Sequence, residues 1–180
     1  MSKKHNGKKQ RFMAMYQQVH EPLSRYCASL CGNNYDAKDL MNDSILIAFE
    51  KFEQSPIENF KAYLFGIASN CYYKSQRRNK FSGSATTEYL EQKIDHSQNP
   101  ESKTDFELLK TYLQQLKSEQ REVFVLHEIN GFKLAEIAKI QNTSLSNVKQ
   151  RAKRARDKML LLLKEPSCTN ENNHLKIIGL

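Results

Sequence analysis

"GFKLAEIAKIQNTSLSNVKQRAKRAR", residues Gly131 to Arg156, sets a short apolar-periodic segment before a polar turn and a long basic segment. Leu134, Ile137 and Ala138 recur at helical spacing and mark the inward side of a first helix. Asn142 falls where the turn needs a residue that tolerates a left-handed backbone. Ser144 is placed to cap the second helix, a contribution of about 1 kcal/mol. Short helix, turn and longer helix, in this order, predict a helix-turn-helix. On a wheel of about 100° per residue, Leu145, Val148, Ala152, Ala155, Met159 and Leu162 share one side of the second helix, and its last leucines are expected to lengthen that packing face. Ser146, Asn147, Gln150, Lys153 and Arg154 share the other side, with Lys149, Arg151, Arg156 and Lys158 on the flanks. In a major groove, Asn147 and Gln150 match adenine and Arg154 matches guanine, while the flanking cations take phosphates and supply affinity without sequence choice.

The rest of the composition agrees with an acidic partner. The chain has 180 residues and a formal net charge of +8, and nucleic acid is the usual partner of so basic a globular protein. The longest apolar runs, "ILIAF" and "MLLLL", fall far below the roughly 20 residues of a spanning helix. The basic N-terminus has no apolar stretch behind it, so a cytosolic protein is expected. Cys27, Cys31, Cys71 and Cys168 form no metal-spaced pair and read as reduced thiols, the first three buried beside helical seams. His5, His20, His96, His127 and His174 are scattered. No metal cluster, cofactor loop or nucleophile with its base is legible, which speaks against an enzyme.

Working outward, an all-α fold in two small domains is expected. Phe12, Met15, Tyr16, Val19, Leu23, Tyr26 and Leu30 keep the helical period, with Pro22 kinking or dividing that helix. A turn at "CGNNYD" leads into a helix over residues 36–52, and the loop "EQSPIEN" leads into a third, "FKAYLFGIASNCYYKSQRRN", seamed by Phe60, Leu64, Ile67 and Cys71. The expected organisation is a basic arm over 1–11, a first domain over 12–79, a linker over 80–104, a second domain over 105–164 and a tail over 165–180.

Two faces of the first domain carry chemistry. Asp36, Asp39, Asp43 and Glu50 fall in one arc of the second helix, with Leu40 and Ile47 projecting beside it. An acidic ridge edged by apolar residues suits a protein partner better than DNA. On the third helix, Phe65, Tyr72 and Tyr73 lie off the seam, followed by Lys74, Arg77, Arg78 and Lys80. Rings interleaved with cations suit single-stranded DNA, because bases stack on the rings while cations follow the backbone. Tyr63 reads as core.

"LQQLKSEQREVFVLHEINGFKLAEIAKIQNTSLSNVKQRAKRARDKML" resembles the promoter-binding C-terminal domain of bacterial RNA polymerase sigma factors. "DAKDLMNDSILIAFEKF…NFKAYLFGIASNCYYKSQRRN" resembles the other essential domain of the same proteins. Both halves, in this order and joined by a short linker, resemble the extracytoplasmic-function (ECF) branch. The resemblance implies that Asp36, Asp39, Leu40, Asn42, Asp43 and Ile47 meet core RNA polymerase. It implies that Phe52, Asn59, Phe65, Asn70, Tyr72, Tyr73, Lys74, Arg77 and Arg78 handle the opened minus-ten element, the loop before the third helix capturing a flipped base. It further implies that Ser146, Asn147, Lys149, Gln150, Arg151, Lys153, Arg154 and Arg156 read the minus-thirty-five element. Many members of this branch also have an anti-sigma partner. Tyr63 and Phe49 stand where tryptophans are common, Asn42 where glutamine is common, and Lys133 where an N-capping serine is usual. A conventional helix-turn-helix regulator would account for the second domain, but leaves the acidic ridge and the aromatic-basic helix without a role.

Overall fold

The computed structural model describes residues 2–54, 56–81 and 105–164, all structured segments of which are helical. The chain forms two compact units, Met1–Gln76 and Arg77–Leu180. The 80–104 linker lies outside the described residues apart from its first two positions, and the 165–180 tail, with Cys168, lies wholly outside them.

The first unit holds α1 (Ser2–Gln17), α2 (His20–Leu30), α3 (Asn34–Lys51) and α4 (Phe60–Phe81) as far as Gln76. The basic N-terminus is thus the first half of α1. The break anticipated at Pro22 falls instead at Gln18–Val19, and Pro22 sits in the first turn of α2, where no intrahelical N–H is required of it. The seam Leu23, Tyr26, Cys27 and Leu30 is buried on α2 as its spacing predicts. Asn33 caps α3 by accepting a 2.8 Å hydrogen bond from the Asp36 N–H. Tyr26 packs on Phe65 of α4 at 4.9 Å between centroids, and Leu64, Ala68 and Ala48 complete this core. Cys27 and Cys31 are buried free thiols and Cys71 is half-buried. Burial pushes the Cys27 thiol well above its ordinary pKa, and the neighbouring Cys31 and Cys71 push it further.

In the second unit, α5 spans Asp105–Gln114, α6 Ser118–Phe124, α7 Leu134–Ile140 and α8 Leu145–Lys164. A single π turn, Val125–Ile129, continues α6. Buried Arg121 closes the end of α5: its guanidinium donates to the carbonyls of Leu113, Gln114 and Leu116 at 2.9, 3.3 and 3.2 Å. The Leu113 carbonyl also accepts from the Leu116 N–H at 3.1 Å, and a cation at this end of α5 suits both its carbonyls and the helix dipole. The π turn ends where the Asn130 N–H and side-chain amide both donate to the Val125 carbonyl at 3.0 Å. Gly131 follows with φ of +72°, a conformation that favours glycine. His127 is half-buried, with Nδ1 2.8 Å from the Phe132 carbonyl oxygen.

The turn between α7 and α8 has the local chemistry read from the sequence. Asn142 has φ of +47°. The N–H of Asn142 donates to the Lys139 carbonyl and that of Thr143 to the Ala138 carbonyl, the paired bonds of a Schellman ending. Ser144 then accepts from the Asn147 N–H at 3.2 Å. At the start of α7, Lys133 has no side-chain acceptor to offer, and the Glu136 carboxylate secures that end by accepting from the Lys133 N–H at 2.8 Å. Val148, Ala152, Ala155, Met159 and Leu162 form the buried side of α8. Leu145, assigned to that side from the wheel, is instead the first residue of α8 and is exposed. Leu160 and Leu161 are exposed as well, so only Met159 and Leu162 of the terminal apolar run are core.

Candidate nucleic-acid interface

The outer side of α8 presents Ser146, Asn147, Lys149, Gln150, Lys153 and Arg154, all exposed. Asn147 is steadied by a 3.2 Å bond from its amide to the Thr143 hydroxyl. Two cations of the expected set are held elsewhere. Arg156, though exposed, donates to the Glu128 carboxylate at 2.7 Å. Half-buried Arg151 donates from Nη1 to Gln141 Oε1 at 2.7 Å. Gln141 in turn donates to the carboxylate of Glu122, a fully buried residue of α6, at 2.7 Å. Arg151 therefore ties α8 to the rest of its own domain, a role its flank position on the wheel did not disclose.

On α3, Asp36, Asp39, Asn42, Asp43 and Glu50 are exposed as a ridge. Leu40 is not at its edge but buried at 8% exposure, and Ile47 is half-buried. The apolar members of the ridge are Leu46 at 58% and Tyr35 at 75% exposure, both missed from the sequence. Leu46 follows Asp39 by seven residues and precedes Glu50 by four, which puts all three on one side of a helix.

The residues expected at unpaired bases separate into buried and accessible sets. Phe65, fully buried against Tyr26, and Tyr72, buried beside Tyr73, present no open ring face to a base. Asn70, Lys74, Arg77 and Arg78 are exposed, and Tyr73 is half-buried. The loop between α3 and α4 borders an open hollow of about 530 Å³, lined by Lys51, Gln54, Pro56, Ile57, Asn59 and Tyr63 among others. Asn59 also caps α4, accepting from the Ala62 N–H at 3.0 Å. Tyr63, read as core, is half-buried instead: its hydroxyl donates to the Ala48 carbonyl at 3.2 Å while its ring faces the hollow. Burial raises its phenol pKa, so it stays a neutral donor. Phe52 points the other way, into a cluster of rings with Phe12 and Phe60.

Among the described residues, no group of three or more His, Cys, Asp or Glu side chains could hold a metal ion, and no helix is long and apolar enough to cross a membrane. What the two units offer is a helix-turn-helix with an exposed polar and basic face, an acidic-apolar ridge, and an open hollow beside the α3–α4 loop with Lys51 and Glu58 both in its lining. Residues 15–82 match the family description "Sigma-70 region 2" and residues 106–159 match "Sigma-70, region 4". The chain belongs to the sigma-70 family, as an extracytoplasmic-function (ECF) sigma factor directing transcription initiation. It is 27% identical over 142 residues to the ECF RNA polymerase sigma factor EcfG of Rhodopseudomonas palustris (strain TIE-1), covering 78% of each chain. It is 23% identical over 150 residues to the ECF RNA polymerase sigma factor SigM of Bacillus subtilis (strain 168), covering 82% of this chain and 92% of that one. Its fold is similar to that of the sigma factor RpoE from Bartonella quintana, solved in complex with the anti-sigma factor NepR. The TM-score is 0.74 at 27% identity, over 87% of this chain and 98% of that one.

Proposed function

We propose that the three surfaces divide the work of initiation. The α3 ridge, with Asp36, Asp39, Asn42, Asp43 and the exposed Leu46, docks on core RNA polymerase. Carboxylates steer the encounter and the leucine supplies the desolvated contact. The outer side of α8 enters the major groove of the minus-thirty-five element, where Asn147, Gln150 and Arg154 address base edges and Lys149 and Lys153 take phosphates. The α3–α4 loop takes an unstacked minus-ten base into the hollow at Asn59 and Tyr63, while Lys74, Arg77 and Arg78 follow the separated strand.

The observation that carries this reading is the hollow itself. A duplex reader has no use for an open recess lined by Asn59 and Tyr63 on a separate unit from its helix-turn-helix. No catalytic step falls to this chain, which works in the cytoplasm where polymerase and promoter meet. The reading extends to an anti-sigma partner of the kind bound to the Bartonella sigma factor.

Permanganate footprinting tests the division. Unpaired thymines near the minus-ten element are expected only when core polymerase and this protein are present together. Asn59→Ala and Tyr63→Ala should reduce that reactivity without weakening core binding. Melting that is insensitive to both substitutions would overturn the assignment of the hollow.

A further inference from the structure

The loop bordering the hollow is held at both ends by a third element. Phe52 is the C-cap of α3 and Phe60 the first residue of α4, so the two rings bracket the loop, and they meet edge-on at 6.0 Å. Phe12 of α1, at 1% exposure, packs edge-on against Phe52 at 5.2 Å, Phe60 at 5.4 Å and Phe49 at 5.2 Å. Edge-to-face pairs at these separations add attraction beyond area burial and fix relative ring orientation. The residues around Phe12 continue the contact. Arg11 forms an ion pair with Glu53, the first loop residue after Phe52. Lys8 donates to the Glu50 carbonyl at 3.3 Å and stands 4.8 Å over the Phe49 ring. A cation at the C-terminal turn of α3 is favourably placed for its unpaired carbonyls.

We infer that α1 is the positioning element for the minus-ten loop, with Phe12 closing the base of the loop and Arg11 setting its first turn. The inference rests on the reading that this loop captures the unstacked base. A loop whose ends float must lose backbone freedom when it closes on a base. A loop clamped between Phe52, Phe60 and Phe12 has lost much of that freedom in the free protein, so more of the contact energy appears as discrimination between bases. Arg11 thus acts on the loop itself, and Lys8 on the end of α3 that leads into it.

The test uses the full chain with core polymerase on a promoter library randomised across both elements. Core affinity and thermal unfolding are measured alongside. Arg11→Glu should lower base discrimination at the captured minus-ten position by about threefold, in keeping with an exposed pair turned repulsive. It should leave minus-thirty-five preferences and core affinity unchanged. The exchanged pair Arg11→Glu/Glu53→Arg should restore discrimination, which a purely structural role for α1 does not predict. Phe12→Leu, which keeps apolar bulk but removes the ring edge, should lose more. Unchanged discrimination in Arg11→Glu and Phe12→Leu, alongside a loss in Asn59→Ala and Tyr63→Ala, would overturn the inference and leave the loop reading standing. Unchanged discrimination in all four would remove the loop reading and this inference with it. Loss in Arg11→Glu that the exchange does not restore, accompanied by a lower unfolding temperature, would reduce α1 to a stabilising helix.

Discussion

Gln141 and Glu122 meet at 2.7 Å, the amide of the helix-turn-helix turn donating to a carboxylate buried in the helix beneath it. The same amide nitrogen lies 3.2 Å from the Glu119 carbonyl, and its oxygen accepts from Arg151. A buried carboxylate is tolerated only with donors, so this chain fixes both the turn and the angle at which α8 leaves it.

Gln141→Leu, which removes one donor from Glu122, should destabilise the second unit by about 1–3 kcal/mol. Thermal unfolding would register it. Arg151→Ala should resemble Gln141→Leu, weakening all promoters in parallel without changing which base is preferred anywhere. Relaxed preference at a single position in Arg151→Ala would return that side chain to the reading set.

Arg154 and Lys149 should separate in the opposite sense. Arg154→Ala is expected to relax preference at one minus-thirty-five position, with a loss of about 1–3 kcal/mol on the preferred base. Lys149→Ala should weaken every sequence alike and reduce the slope of log K against log salt by about 1. Binding titrations over a series of salt concentrations and single-base variants distinguish the two, and equal effects on specificity would contradict the division.

Leucines six apart on α3 should fail differently. Leu40→Ala opens a cavity and should cost about 2–5 kcal/mol of stability. Leu46→Ala should leave the unfolding temperature nearly unchanged while weakening core polymerase, and Asp39→Lys should slow association most at low salt. Surface-based kinetics with core polymerase, set beside unfolding curves, reads both quantities.

Alkaline pH should loosen the first unit. The Cys27 thiol is raised by burial, then by Cys31 and Cys71, and Cys71 is raised by its own burial. With folded values above unfolded ones, the native state keeps protons that the unfolded chain releases. Stability is therefore complete below the ordinary thiol value of 9.0 and falls as pH rises past it. The slope approaches about 1.4 kcal/mol per pH unit for each such thiol. Cys27→Ala should flatten the decline in denaturant unfolding between neutral and alkaline pH, and an unchanged slope would exclude Cys27 as its source.

Much of this architecture was legible because local chemistry decides it. The Leu23, Tyr26, Cys27 and Leu30 seam follows from the helical period, and the α7–α8 turn follows from what Asn142 and Ser144 can do with their own backbone neighbours. The errors fall where a second element decides. Phe65 and Tyr63 both lie off the Phe60/Leu64 seam of α4, and only the arrival of Tyr26 from α2 makes Phe65 core while Tyr63 keeps a face on the hollow. Arg151 looks like any flanking cation until Gln141 comes across the turn to meet it. The π turn carries no periodic mark, and only the Asn130-Gly131 pair hints at where it ends. Leu46 was also missed, although its spacing from Asp39 and Glu50 suffices to place it on the ridge.

The most direct measurement is run-off transcription by bacterial core polymerase on a genomic fragment library, with and without this protein. Transcripts that begin downstream of one shared two-part motif, only when the protein is present, are the predicted result and would also give the promoter sequence. No protein-dependent transcript, with the protein alone binding duplex DNA tightly and core polymerase ignoring it, would contradict the account.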